Sequence, residues 1–273
     1  MKTVGIIAGN GRFPVLSLEE ARRQGFRVVV CGIEKEAEVS LEQAADAFEW
    51  VKIGQLRKLR NFFLREQTSQ VLMAGKIEKV RLFQENVSPD FDMVKMLAKT
   101  RDFKDDSLLG AVASYLQEEG IELMDSTIFL RACMPGSGVL GRCKPSRETL
   151  EDIDFGFRMA KAVAGLDIGQ TVAVKKKAVL AVEAIEGTDL AIRRAAQLGR
   201  DHCVVVKVAK PNQDMRFDVP AVGLKTLDEL IQAKAAAFAF EAGKTLFMDL
   251  DQVIEKADRH KIPFVGYQAT EKS

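Results

Sequence analysis

The first half of the chain alternates short apolar runs with amphipathic stretches, and this alternation restricts the fold more than any other feature. Apolar runs predict strands at Thr3–Ala8, Phe26–Cys31, Phe48–Ile53 and Val71–Ala74. The stretches between them have the spacing of helices with one apolar face. Because strand–helix–strand units build parallel sheets with helices on their faces, we predict an α/β first domain of that type.

A stretch rich in glycine and proline, residues 134–147, interrupts the alternation. It reads MPGSGVLGRCKPSR, and these two residue types at such density mark turns and loops. The chain of 273 residues is long enough for two hydrophobic cores. We therefore predict a linker at 134–147 between domains 1–133 and 148–273, although a surface loop explains the composition equally well.

The second half also predicts an α/β domain, with a less regular alternation. Strands are predicted at Thr171–Val174, Val179–Glu183, Cys203–Val208 and Phe264–Tyr267. A long alanine-rich helix is predicted at Leu227–Ala242. The predicted fold class is thus α/β, with a parallel-sheet domain followed by a distinct C-terminal α/β domain.

Charge and cysteine content exclude several classes of protein. The chain has 40 Lys and Arg against 39 Asp and Glu, a net charge of +1, whereas a nucleic-acid-binding domain is normally clearly basic. Its four cysteines form no CxxC pair, which argues against a zinc cluster. The N-terminal apolar run is too short for a signal peptide, and no run approaches the roughly 20 residues of a membrane helix. We therefore expect a cytoplasmic protein that binds no nucleic acid.

The first candidate ligand site is the turn Gly9-Asn10-Gly11, which follows the first predicted strand. A glycine turn leading into a helix presents backbone N–H groups to an anion, and the helix dipole adds partial positive charge. Pro14 replaces the third glycine of the dinucleotide fingerprint; proline starts a helix well but lacks an N–H group. The turn therefore suits a phosphate or nucleotide better than a complete nicotinamide site, and a plain tight turn is equally compatible with it.

A second candidate, Lys76, follows Gly75 at the end of the predicted strand Val71–Ala74. Ligands of doubly wound sheets bind at the carboxyl ends of strands, where a lysine can meet a phosphate. A solvated loop lysine is the simpler interpretation of this residue alone. The polar stretch Lys104–Ser107 precedes a predicted helix, and helix capping explains one of its side chains but leaves one acid unassigned.

The turn from Glu183 to Asp189 joins a predicted strand to a predicted helix and carries three acids. Thr188 suits helix capping, and Asp189 suits the first helical turn. Capping accounts for much of the pattern, but three acids beside Arg193 and Arg194 exceed what capping needs.

The loop Lys210–Pro220 is polar and follows a predicted strand. Such loops on a rigid scaffold often carry function. Asp214 and Asp218 offer the hard oxygen ligands that magnesium prefers, and Lys210 and Arg216 can neutralise phosphate charge. A salt-bridged surface loop explains the composition equally well.

Motifs of other hydrolase classes are absent from the sequence. There is no HExxH, GxSxG or P-loop motif. The two histidines, His202 and His260, lie in positions that do not suggest a catalytic base. A hydrolase without a nucleophile motif or a histidine base is expected to use metal-assisted attack by water.

Four segments resemble the UDP-2,3-diacylglucosamine pyrophosphatases of lipid A biosynthesis, of the family unrelated to the metallophosphoesterases. They are Gly5–Pro14, Leu166–Gln170, Val179–Asp189 and Lys210–Pro220, the last continuing to Gly223. They occur in order along nearly the whole chain, and the last two are the more specific. The resemblance therefore covers both predicted domains.

This resemblance implies a Rossmann-like N-terminal domain, a distinct C-terminal domain and a substrate bound between them. It implies Mg²⁺-dependent hydrolysis of UDP-2,3-diacylglucosamine to UMP and 2,3-diacylglucosamine 1-phosphate (lipid X). The essential acid of the family, an aspartate followed by a small residue and proline, corresponds to Asp218.

The motifs also suggest roles for individual residues. Asp218 and Asp189 are the candidate catalytic residues, and Asp218 and Glu186 are the candidate Mg²⁺ ligands. The candidate substrate-binding residues are Gly9, Asn10, Gly11, Lys76, Thr188, Lys210, Gln213 and Arg216.

A lipid product implies further properties. The acyl chains need an apolar surface, which Phe238 and Phe240 of the predicted alanine-rich helix could line, although a place in the core is the preferred interpretation. Transient contact with the inner membrane surface is expected. The basic clusters Arg57–Arg65 and Lys175–Lys177 could support it, and solvated faces explain them equally well. The oligomeric state is left open, a homo-oligomer included.

Two other functions stay open at this point. A nicotinamide-dependent oxidoreductase fits the strand–glycine–helix start, but Pro14 and the absence of a clear set of hydride-transfer residues disfavour it. A non-catalytic nucleotide-sugar or lipid carrier would keep the glycine turn without needing the acid-rich loop Lys210–Pro220.

Overall fold

The computed structural model describes residues 1–77, 89–99 and 105–268. Its contacts divide the chain into two compact units. The first comprises Met1–Leu130 together with the short segment Asp214–Asp218, and the second holds the rest of the described chain from Arg131 onward. The side chains of the candidate stretch 104–107 lie outside the described residues.

A five-stranded sheet, in which every neighbouring pair of strands is parallel, forms the centre of the first unit. Its strands are β1 (Thr3–Ala8), β2 (Arg27–Ile33), β3 (Ala47–Val51), β4 (Gln70–Ala74) and β5 (Glu122–Leu123). They lie in the order β3-β2-β1-β4-β5, so the winding reverses between β1 and β4, as in doubly wound sheets. This confirms the predicted parallel-sheet domain.

Helices complete the first unit. Those described are α1 (Phe13–Arg23), α2 (Ser40–Ala44), α3 (Leu56–Arg65), α4 (Phe91–Lys99) and α5 (Asp105–Glu118). Pro14 lies in the first turn of α1, where its missing N–H group breaks no helical bond. On α3, Phe62 and Phe63 are buried in a cluster with Val29 and Val71 of the sheet, which seats the helix.

The second unit is built on a mixed sheet of six strands. These strands are β6 (Gly138–Leu140), β7 (Thr171–Lys175), β8 (Ala178–Val182), β9 (Val204–Lys207), β11 (Ala237–Glu241) and β13 (Phe264–Tyr267). They lie in the order β6-β13-β11-β9-β7-β8. The pairs β9–β11 and β11–β13 are parallel, whereas β6, β7 and β8 pair antiparallel.

The remaining elements of the second unit are one small strand pair and helices. The pair consists of β10 (Ala221–Val222) and β12 (Leu246–Phe247). The helices are α6 (Arg147–Gly165), α7 (Thr188–Gly199), α8 (Leu224–Gln232) and α9 (Leu250–Arg259). No helix within the described ranges 1–77, 89–99 and 105–268 has the length and apolar character needed to cross a membrane.

The helix predicted at Leu227–Ala242 is wrong in its second half. Helix α8 ends at Gln232, and Ala237–Glu241 form the buried strand β11 between β9 and β13. Both neighbouring strands supply backbone partners, which outweighs the helical propensity of alanine. Phe238 and Phe240 are 0% exposed and belong to the core. The sequence also favours a core position for them over an acyl-chain surface.

Residues 134–147, for which the sequence predicts a linker, contain the strand β6. This strand pairs antiparallel with β13 at the edge of the second sheet, with Leu140 opposite Phe264. The boundary between the two compact units lies after Leu130. The stretch therefore contributes a strand to the second unit in addition to its turns.

Candidate active site

Backbone hydrogen bonds tie together the carboxyl ends of β1 and β4. The N–H group of Gly9 donates to the carbonyl of Ala74 at 2.8 Å, and Asn10 and Lys76 exchange bonds of 2.7 and 3.0 Å. These residues lie where the strand order reverses, which is where doubly wound sheets bind ligands. The structure thus brings the predicted residues Gly9, Asn10 and Lys76 to one place.

Two glycines allow this close approach. A Cβ on Gly9 would lie 2.6 Å from the carbonyl oxygen of Lys76. A Cβ on Gly75, where φ is +92°, would lie 2.7 Å from the carbonyl oxygen of Asn10. Both collisions are with backbone, which cannot rotate away as a side chain can, so glycine is needed at both positions.

The N–H groups of the glycine turn are only partly available to an anion. Those of Gly9 and Asn10 are used by the bonds to the β4 side. Gly11 leads into α1, where the N-cap residue Arg12 makes no side-chain capping bond. An anion at this turn would therefore meet Gly11 and the first turn of α1 rather than the whole cradle that the sequence predicts.

The segment Asp214–Asp218 belongs to the first unit although it comes from the second half of the sequence. The carbonyl of Met215 accepts a hydrogen bond of 2.9 Å from the N–H group of Ser126, which follows β5. Because β5 lies parallel to β4, its carboxyl end is at the same sheet edge. Asp218 is therefore held at the edge that also carries Lys76.

Within this segment, Arg216 and Asp214 form an ion pair. The guanidinium group donates to the carboxylate oxygens at 2.7, 3.0 and 3.1 Å. These bonds from Arg216 lower the pKa of Asp214 despite its partial burial. The predicted contact of Arg216 with phosphate would therefore compete with Asp214.

A buried polar cluster lies at the carboxyl end of β9 in the second unit. Lys207, the last residue of β9, is only 7% exposed. Its ammonium group donates to the hydroxyls of Thr188 at 2.9 Å and Thr171 at 3.3 Å, and lies 3.9 Å from the Glu183 carboxylate. The Thr188 hydroxyl donates in turn to Glu183 at 2.7 Å.

This cluster fixes the charge of Glu183 and the hydroxyl of Thr188. Burial raises the pKa of Glu183, but the charge of Lys207 and the hydroxyls of Thr171 and Thr188 outweigh it, so the pKa lies below the ordinary value. The proton of the Thr188 hydroxyl is directed at Glu183 and is not available to a phosphate oxygen. A phosphate contact from Thr188 would have to use its backbone N–H group.

Ion pairs also engage the other predicted charged residues of the second unit. The pairs are Glu186 with Arg194 (2.9 Å), Asp189 with Lys225 (3.0 Å) and Lys210 with Asp167 (2.7 Å). The side-chain oxygen of Gln213 accepts a bond of 2.9 Å from the backbone N–H group of Lys210. Each of these groups would have to exchange a protein partner for the substrate.

Mg²⁺ is the cofactor expected from the sequence, and it is usually held by one or two carboxylates together with substrate phosphates and water. Among the residues that the structure describes, no three His, Cys, Asp or Glu side chains are grouped as a metal site. The carboxylate of Glu186 is engaged by Arg194 and does not fit a ligand role in this arrangement. Asp218 is half-buried and fits a site with one protein carboxylate.

Lys207 and Ser126 contact candidate site residues, Thr188 and Arg216 respectively, and the sequence does not single them out. Lys207 interrupts the apolar run Val204–Ala209, which predicts a buried strand. This position could have identified Lys207, because a buried lysine needs a partner. Ser126 carries no such signal, since its partners, the carbonyls of Met215 and Arg216, are distant in sequence.

Two family models match consecutive parts of the chain. The LpxI N-terminal domain matches residues 3–133, and the LpxI C-terminal domain matches residues 136–265. A curated protein of Caulobacter vibrioides, the UDP-2,3-diacylglucosamine pyrophosphatase LpxI, is 31% identical over 283 residues that cover 100% of both chains.

Similarity to solved structures is slight. A UDP-glucose-4-epimerase of Stenotrophomonas maltophila, with bound NAD and formylated UDP-arabinopyranose, is 17% identical at a TM-score of 0.30, covering 44% of this chain and 35% of its own. A glycinamide-RNase-transformylase T of Mycobacterium tuberculosis is 12% identical at a TM-score of 0.25. The match covers 67% of this chain and 44% of that chain. Likeness at these scores supports no conclusion about fold or function.

Proposed function

The chain belongs to the LpxI family, and we propose that it hydrolyses the diphosphate bond of UDP-2,3-diacylglucosamine in lipid A biosynthesis. The products would be UMP and 2,3-diacylglucosamine 1-phosphate (lipid X). The observation that carries the proposal is the 31% identity to the Caulobacter enzyme across the whole of both chains. That match includes both the glycine turn of the first unit and the loop that carries Asp218.

Hydrolysis of a diphosphate requires stabilisation of the negative charge on the phosphoryl oxygens. In this proposal the exposed side chain of Lys76 neutralises part of that charge at the carboxyl edge of the sheet. The N–H group of Gly11 and the first turn of α1 add partial positive charge. The bonds between Asn10 and Lys76 support this role because they hold the turn in a fixed position.

Asp218 is the residue proposed to act at the reacting phosphorus. Its carboxylate orients the attacking water, and the hydrogen bond of 3.2 Å from its N–H group to the carbonyl of Asp214 holds it in a turn. Mg²⁺ held by Asp218 would, when bound, supply further positive charge to the phosphoryl oxygens.

The other proposed residues act less directly. Asp189 stays a proposed catalytic residue, and it must leave Lys225 before it can act. Lys210, Gln213 and Arg216 are proposed to bind the substrate by exchanging a hydrogen bond within the protein for one to the substrate.

A lipid substrate suggests where the protein works. We propose a cytoplasmic enzyme that meets its substrate, and releases lipid X, at the inner membrane surface. The basic residues of α3, Arg57–Arg65, are one surface that anionic lipids could attract. To bind lipid they would have to leave acidic partners, since Arg57 and Arg60 pair with Asp92. A homo-oligomer is compatible with this proposal.

Release of UMP from purified UDP-2,3-diacylglucosamine tests the function. We expect release by the wild-type protein, loss of release with a chelator, and recovery with added Mg²⁺. Asp218→Asn should lower kcat by at least about 100-fold. Asp251→Asn, which changes an exposed aspartate of α9, is the matched control and should retain the wild-type rate.

Several outcomes would count against parts of the proposal. If no condition releases UMP, the proposed hydrolysis itself is ruled out. Full activity in the presence of the chelator would rule out the proposed dependence on Mg²⁺. A normal rate for Asp218→Asn would rule out the proposed role of Asp218. Tight binding of the lipid without turnover would favour the carrier, and a change in NADH fluorescence would favour the oxidoreductase; the full-length family match favours the hydrolase over both.

A further inference from the structure

Ser126 is an enclosed polar residue that connects two distant parts of the sequence. It is 1% exposed and lies just beyond the end of β5. Its backbone N–H group donates to the carbonyl of Met215 at 2.9 Å, and its hydroxyl donates to the carbonyl of Arg216. One serine thus holds two consecutive carbonyl groups of the segment Asp214–Asp218.

The segment itself is a compact turn. The N–H groups of Phe217 and Asp218 donate to the carbonyl of Asp214 at 3.4 and 3.2 Å. The ring of Phe217 packs against the core of the first unit, and the guanidinium group of Arg216 lies 5.3 Å from the centre of that ring. Fixing the carbonyls of Met215 and Arg216 therefore fixes the direction in which Asp218 leaves the turn.

The residues beside Ser126 hold it in place. One carboxylate oxygen of Asp125 accepts two hydrogen bonds from Thr127. The backbone N–H group of Thr127 donates at 2.8 Å, and the Thr127 hydroxyl donates at 2.6 Å. Thr127 is fully buried. This Asx turn restricts the backbone of the loop after β5, so the position of Ser126 is fixed.

We propose that Ser126 is a positioning residue, which holds Asp218 at the carboxyl edge of the first sheet without itself contacting the substrate. The inference rests on the proposed function, in which Asp218 acts at the reacting phosphorus. A displacement of about 1 Å at a reacting group can cost about 100-fold in rate. Loss of the Ser126 hydroxyl therefore reduces turnover more than it reduces substrate binding.

The first experiment compares Ser126→Ala with Ser17→Ala. Ser17 is a fully buried serine of the same unit, and its hydroxyl has no hydrogen-bond partner among the described residues. The same chemical change at Ser17 therefore removes no bond. We expect Ser126→Ala to lower kcat for UMP release by about 10- to 100-fold with little change in KM, and Ser17→Ala to leave both unchanged.

A double substitution separates positioning from a general loss of structure. If Ser126 acts through Asp218, adding Ser126→Ala to Asp218→Asn causes no further loss of the residual rate. Losses that multiply would contradict the inference. If Ser126→Ala does not fold, as judged by urea unfolding, Phe217→Leu takes its place, because it loosens the same turn and leaves Ser126 unchanged.

The outcomes distinguish this inference from the proposed function. Normal kcat values for Ser126→Ala, in a wild-type protein that releases UMP, would overturn the inference and leave the function standing. A wild-type protein that releases no UMP would end the proposed function and this inference with it.

Discussion

Asn10 and Lys76 exchange two backbone hydrogen bonds, of 2.7 and 3.0 Å, across the carboxyl ends of β1 and β4. The exchange sets the exposed Lys76 side chain beside the glycine turn, although the two residues are far apart in sequence. It depends on Gly9 and Gly75, where a Cβ would collide with backbone. Changes to the glycines should therefore affect folding, and changes to the lysine side chain should affect catalysis.

Gly9→Ala should destabilise the protein. The added Cβ would lie 2.6 Å from the Lys76 carbonyl oxygen, and relieving that contact moves two backbone segments at a cost of about 1–3 kcal/mol. Urea unfolding measures the change. Gly110→Ala is the control, since an added Cβ there meets nothing within 4 Å on α5; it should be neutral or stabilising by about 0.5–1 kcal/mol. Equal effects at the two positions would contradict this account of Gly9.

Lys76→Met should lower activity without lowering stability. The side chain is exposed, so its loss costs little packing, but it removes positive charge from the proposed phosphate site. We expect kcat/KM for UMP release to fall at least about 10-fold, with an unchanged urea midpoint. Lys95→Met, at an exposed position on α4, should change neither. A wild-type rate for Lys76→Met would remove Lys76 from the site.

Lys207→Met should be strongly destabilising. It leaves the largely buried carboxylate of Glu183 without the charge that neutralises it, which costs up to about 3 kcal/mol. The double variant Lys207→Met, Glu183→Gln should lose less than the sum of its single changes, as measured by urea unfolding. Lys225→Met breaks an ion pair with Asp189 whose lysine is well exposed, and should cost less than about 1 kcal/mol. Additive losses at Lys207 and Glu183 would show that the two do not interact.

The contribution of Glu183 to stability should disappear at acid pH. Burial raises the pKa of Glu183, but Lys207 and the two threonine hydroxyls lower it further, to below the ordinary value of 4.5. A carboxylate whose pKa is lowered by folding contributes fully above its unfolded pKa and loses that contribution as the pH falls through its folded pKa. The difference in free energy of unfolding between wild type and Glu183→Gln should therefore be largest near neutral pH and shrink below pH 4.5. A difference that does not change with pH would contradict this reading.

Local pattern accounts for the strands that the sequence predicts well. Thr3–Ala8 and Phe264–Tyr267 begin and end in the structure where the apolar runs begin and end. Ala237–Glu241 is also apolar, but its alanines favour a helix by intrinsic propensity. Only the presence of β9 and β13 on either side makes this segment a strand, and that tertiary environment is not visible in the segment itself.

The candidate site shows the same division between local and distant information. Gly9 and Lys76 can be selected from the sequence because each lies in a turn after a predicted strand, whereas the choice of Asp218 over Asp214 comes from the family resemblance. The partners of these and other candidate residues cannot be predicted in this way, because the partners belong to other helices and strands. Lys207 meets Glu183 across the sheet, and this contact follows from the strand order β9-β7-β8 rather than from any motif.

The two regions matched by the family models meet between residues 133 and 136, yet the first unit takes Asp214–Asp218 from beyond that junction. A polypeptide cut there would deprive Ser126 of both its acceptors and withdraw Phe217 from the core. The N-terminal fragment, produced alone, should therefore unfold at a lower urea concentration than the first unit of the full chain.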